Sequence, residues 1–157
     1  MPEQQIAHLP YLDEHVTAVA AGPDAAWRAV VDAVDASFSR TGAGWYARAV
    51  GCADTAATGP RPLAEGSTIP GFRVAAAVPG RELVLRGRHR FSDYALVFRV
   101  EPAGPDRTLV RAESRAAFPG LPGAAYRALV FGTRAHVRGI RSLLAGVRRR
   151  AGAATGG

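Results

Sequence analysis

The chain has 157 residues, 48% of them hydrophobic and 8% aromatic, which suits one globular domain with a sizeable core and lies outside the composition of disordered chains. Its net charge of +7 comes from 20 arginines and no lysine. Alanine, glycine and proline are abundant too, as GC-rich codon usage produces, so the charge alone does not name an acidic partner. The missing lysine excludes Schiff-base and pyridoxal chemistry on a side-chain amine, and the single cysteine, Cys52, excludes an intrachain disulfide or a multi-cysteine metal site.

In chain order, YLDEHVTAVA at residues 11–20 becomes β-branched toward its end and reads as a strand. AGPDAAW then opens a helix. Pro23 suits the first helical position, where its missing N–H costs nothing, and Asp24 sits near the positive end of the helix dipole. Trp27, Val30, Val31 and Val34 follow at helical spacing. SFSRTGAG reads as a turn or a second small helix, and WYARAV at residues 45–50 is expected to be a strand. GCADTAATGPRPLAEGST is glycine- and proline-rich and reads as a long loop.

Four strand-like runs follow, at residues 71–78, 81–89, 93–101 and 108–118, and the short links between them imply an antiparallel meander. After PGLPG the period changes to 3.6. Tyr126, Leu129, Val130, Thr133, Val137, Ile140, Leu144 and Val147 fall on one face, predicting one long helix, with Arg127, Arg134, Arg138 and Arg141 mostly opposite. Gly132 inside that helix points to close approach by a strand or ligand, or to codon usage; Thr133 offers a hydroxyl to a ligand or back-bonds to the preceding turn. The expected organisation is a flexible N-terminus at 1–10, one domain at 11–150 and a disordered tail at 151–157. No apolar run approaches the ~20 residues of a membrane span, and MPEQQIAHLPYLDEH is too polar for a signal peptide. The expectation is a cytoplasmic protein, monomeric or homodimeric.

The order strand, helix, antiparallel sheet, long C-terminal helix resembles the START and polyketide-cyclase (SRPBCC) superfamily. VTAVAAGPDAAWRAVVDAV looks like its opening strand and first helix, GFRVAAAVPGRELVLRGRHRFSDYALVFRVEP like its central hairpins, and FGTRAHVRGIRSLLAGVRRRA like its closing helix. The resemblance covers residues 11–151 and includes no invariant catalytic signature. It implies an α+β helix-grip fold, a curved antiparallel sheet wrapped around a long C-terminal helix, with a largely apolar cavity between them. Superfamily members bind lipids, sterols, hormones or polyketides, and a minority catalyse cyclisation or aromatisation.

RGRHRFSDY at residues 86–94 looks basic, but a strand sends alternate side chains to opposite faces. Arg86, Arg88 and Arg90 then share a solvated face, while Leu83, Leu85, Gly87 and His89 share the other. Past the corner, Tyr94, Leu96, Phe98 and Val100 continue the apolar series, which puts His89 and Tyr94 near a cavity mouth. His89 is open to three roles: a structural histidine, a ligand contact or a proton-transfer group. His136 sits at the edge of the helical apolar arc, while His8 and His15 have no supporting context. Glu113, between Arg111 and Arg115 on one strand face, reads as a charge ladder in water; the opposite register makes it a buried functional carboxylate.

Three functions stay in play. The first is a binding or carrier protein for a small hydrophobic or aromatic ligand, with Phe72, Val74, Leu85, His89, Tyr94, Leu96, Phe98, Tyr126, Val130 and Thr133 as cavity residues; each also reads as plain core. The second is a cofactor-free cyclase or aromatase using His89, Tyr94 or Glu113 as acid or base. The third is arginine-mediated binding to an anionic surface or nucleic acid, although no specific nucleic-acid motif accompanies the arginines. No metal or cofactor is indicated.

Overall fold

The computed structural model describes Gln4, residues 6–40 and residues 42–155. Strand β1 (Tyr11–Val19) leads into helix α1 (Pro23–Phe38) and the short helix α2 (Ala43–Ala49). Strands β2 (Thr68–Ile69), β3 (Phe72–Val78), β4 (Glu82–His89), β5 (Ser92–Pro102) and β6 (Thr108–Ala117) follow, then helices α3 (Gly120–Gly132) and α4 (Ala135–Thr155). Among the described residues the strands form one sheet in the order β1-β6-β5-β4-β3-β2, with every neighbouring pair antiparallel. The meander is thus closed on one side by the first strand, which pairs with the last. Register shifts at Tyr11/Asp13 in β1 and Val74/Ala76 in β3 bend those strands, as bulges do, and help the sheet curve.

Helices α1 and α4 pack together over the concave face. Ala26, Ala29, Ala33, Val30 and Val34 of α1 are buried with Leu143, Leu144 and Val147 of α4 against Leu83, Leu85, Phe98 and Val110 of the sheet. Small residues let the two helices approach: a Cβ built at Gly146 would lie 4.0 Å from that of Ala33. The convex face is also covered. Ile6 and Leu9 lie over Ala76, Val84, Ala95 and Val97 in a second apolar cluster.

Several sequence expectations need correction. WYARAV is helical: Gly42 adopts φ 94 at its N-cap, and Trp45, 72% exposed, has no sheet to pack on. Its neighbouring alanines are strong helix formers, and adjacent aromatics imitate a strand only in composition. The long C-terminal helix is two helices. Thr133 caps α3, its hydroxyl bonding back to Leu129 O at 2.6 Å, and Arg134 takes the left-handed φ of 57. A Cβ at Gly132 would meet nothing within 4 Å, so its glycine serves no close approach, and the left-handed residue after the cap is Arg134. The expected flexible N-terminus is packed where it is described: Ile6 and Leu9 are buried, and Leu9 O accepts from Arg115 Nη1 at 3.0 Å. The tail expected at 151–157 is helical as far as Thr155, with Ala151 buried; residues 156–157 of it, like residues 1–3 and 5, lie outside the described residues.

Candidate functional site

The register of the sheet builds the site in rows. Asp13, Ser114, Leu96, Leu85 and Val74 align across β1, β6, β5, β4 and β3. The next row contains Ala116, Tyr94 and Gly87, and His89 pairs with Ser92 at the hairpin end. Above these rows, α2, α3 and the start of α4 roof a cavity of about 420 Å3, within the ~300–1,000 Å3 usual for small-molecule sites.

A run of aromatic rings forms part of its wall. Phe38 meets Phe72 edge-on at 4.8 Å, Phe72 meets Tyr94 at 5.1 Å, and the rings of Tyr94 and His89 are 5.2 Å apart. His89 then meets Tyr126 of α3 at 4.7 Å. Gly87 makes this arc possible, because a Cβ there would strike the Tyr94 ring and the Gly71 carbonyl. The Tyr94 hydroxyl donates to Gly71 O at 2.6 Å, with Cys52 Sγ 3.7 Å away. Burial, then the adjacent Cys52, pushes the Tyr94 hydroxyl pKa far above its ordinary value. Burial likewise raises the Cys52 thiol, partly offset by the Tyr94 hydrogen bond.

His89 is held in one tautomer. Its Nδ1 accepts from the Phe91 backbone N–H at 3.0 Å, so the neutral ring carries its proton on Nε2. Burial lowers its pKa against the opposing charge of Asp93, favouring that neutral form. Burial, with the Tyr46 hydrogen bond, also raises the Tyr126 hydroxyl; the Tyr46 and Tyr126 hydroxyls lie 2.9 Å apart and tie α2 to α3 across the mouth. At the inner end, Asp13 stands between His15 and His136, each Nε2 3.3 Å from one of its oxygens. Among the described residues no group of three histidine, cysteine or acidic side chains is placed to hold a metal ion.

No protein-family model and no curated protein matches the sequence. Solved structures do. The chain is similar to the di-domain ARO/CYC StfQ from the steffimycin biosynthetic pathway, with a TM-score of 0.58 at 13% identity over 99% of this chain and 55% of that one. It is similar to a START superfamily protein from Mycobacterium smegmatis (TM-score 0.50, 13% identity, 89% of this chain, 98% of that one). It is also similar to the solution structure of CalU16 from Micromonospora echinospora (TM-score 0.53, 17% identity), covering 88% of this chain but 64% of that one. The chain has the START-like helix-grip fold. At these identities the likeness is one of fold, and the chemistry must come from the residues themselves.

Of the residues singled out from sequence, Phe72, His89, Tyr94, Leu96, Tyr126 and Val130 line the helix-grip cavity. Val74, Leu85 and Phe98 lie outside its lining, buried in the solid core under α1 and α4. Thr133 is exposed at the helix break with its hydroxyl bonded back to α3. Glu113 corrects both of its sequence readings. It points away from the cavity, yet its side chain is only 9% exposed, clamped between Arg99 at 2.7 Å and Arg115. Burial alone would raise its pKa, but the two arginine hydrogen bonds outweigh burial and hold the carboxyl below its usual range. The structure adds His136, Tyr46, Cys52, Phe38, Phe118 and Phe131 to the lining. Only His136 carried a signal in the sequence, as a histidine at the edge of the helical apolar arc.

Proposed function

We propose that the protein binds or carries an apolar or aromatic small molecule in the cavity between the sheet and the C-terminal helices, working in the cytoplasm. The observation that carries this reading is the cavity itself: about 420 Å3, walled by an unbroken arc of rings from Phe38 to Tyr126. Phe72, Tyr94, Leu96, Tyr126 and Val130 supply apolar contact, and His89 supplies a single Nε2–H donor that orients the guest. Among the described residues no helix is long and apolar enough to cross a membrane.

Two observations support binding over the alternatives. The Tyr94 proton is engaged by the Gly71 carbonyl and its pKa is raised, which makes this phenol a poor partner for His89 in acid–base work. Arg61, Arg73, Arg88, Arg99, Arg111 and Arg115, six of the 20 arginines, pair with carboxylates of the same chain, so part of the basic charge is neutralised locally. Native mass spectrometry of the protein purified from its own host tests the reading. A stoichiometric apolar molecule released on denaturation is the expected result; an empty protein that also fails to bind any aromatic probe contradicts it.

A further inference from the structure

Among the described buried side chains, the Ser114 hydroxyl is without a hydrogen-bond partner. Ser114 is 2% exposed and lines the cavity at its inner end. Its neighbours along the register are Leu96 and Asp13. The Asp13 carboxylate, which faces His15 and His136, makes no hydrogen bond to it. On the same face of β6 the flanking residues are Ala112 and Ala116, so the strand already accepts alanine on either side. A lone buried hydroxyl is costlier than a methyl in such a place. Serine there is explained by a partner that arrives with the guest.

We infer that Ser114 is the inner recognition point of the cavity, hydrogen-bonding an oxygen-bearing group (a hydroxyl or carbonyl) at the leading end of an otherwise apolar, ring-containing guest. The inference rests on the binding reading above and adds the guest's chemistry and orientation. His89 and Ser114 flank β5 at Ser92 and Leu96, four positions apart, or roughly 13 Å along an extended strand. The guest therefore lies along β5, its oxygen-bearing end inward and its other end beneath the His89 Nε2–H.

The test compares 2-naphthol with 2-methylnaphthalene, probes of one ring system and nearly equal volume, by equilibrium dialysis against the full chain and its Ser114→Ala variant. Each comparison is made within one probe across two proteins, so differences in probe hydration cancel. The expected result is a loss of about 5-fold to 10-fold in 2-naphthol affinity, with 2-methylnaphthalene unchanged within about two-fold. Ser114→Ala should also raise the thermal midpoint of the guest-free protein, because it removes an unpaired buried group. Equal loss for both probes, no loss for either, or a lowered midpoint overturns the role of Ser114 while leaving the binding reading standing. A wild-type protein that binds neither probe overturns both.

Discussion

Glu113 shows how much one carboxylate depends on what covers it. It joins Arg99 and Arg115, and Arg99 also reaches Glu82 at 3.1 Å, so the convex face has a ladder running from β4 to β6. Ile6 and Leu9 close over the apolar residues of that face, which turns a ladder expected in water into a largely dry one. Removing Glu113 takes the carboxylate from half-buried Arg115, which keeps the Leu9 carbonyl, while Arg99 keeps Glu82. Glu113→Gln is expected to cost about 2 kcal/mol in denaturant unfolding, below the ~3–5 kcal/mol of a fully enclosed pair because both arginines keep some solvent. The pH dependence follows from the lowered folded pKa: the carboxylate contributes stability above its ordinary value of 4.5, and that stability is lost as pH falls through the lower folded value. Glu113→Gln should flatten this acid limb. An unchanged limb would show that Glu113 is not its source.

At the scale of elements, the longer strands were legible, while the short β2 and the helices around the mouth were not. Alternation in residues 71–118 places β3 to β6 because a period of two survives burial of either face. Both faces of β4 are in fact buried at Val84 and Leu85, since the N-terminal segment packs outside the sheet. The break between α3 and α4 was hidden by an apolar stripe whose spacing runs straight through it; Leu129 belongs to that stripe and is 64% exposed. Aromatic content disguised α2 as a strand, and with it Tyr46, so the hydroxyl pair with Tyr126 had no sequence signal. That pair is the one described side-chain hydrogen bond between the two roofing helices. Tyr46→Phe is expected to speed release of bound 2-naphthol up to about 5-fold, with little change in thermal stability, as befits an exposed bond worth at most ~1 kcal/mol. Stopped-flow dissociation reads this directly, and an unchanged off-rate would mean the mouth is gated elsewhere.

Across the whole molecule, the fold divides its concave face in two. Helices α1 and α4 seal one half into solid core around Leu83, Phe98 and Val147, while α2, α3 and the start of α4 only roof the other half and leave it hollow. Hydrophobic pattern identifies the apolar face but not where it is filled, which is why Val74, Leu85 and Phe98 were grouped from sequence with Phe72 and Leu96. Volume depends on helix placement, and helix placement depends on the break at Thr133 and Arg134 that periodicity concealed. Cys52, the chain's single cysteine, lies in the cavity wall beside Tyr94 and reports on occupancy without any engineered label. The most direct test is the rate at which N-ethylmaleimide alkylates Cys52 with and without saturating 2-naphthol, both at one pH because burial raises the thiol pKa. A guest in the cavity should slow alkylation several-fold or more. An unchanged rate at saturation would place the guest elsewhere and contradict the account.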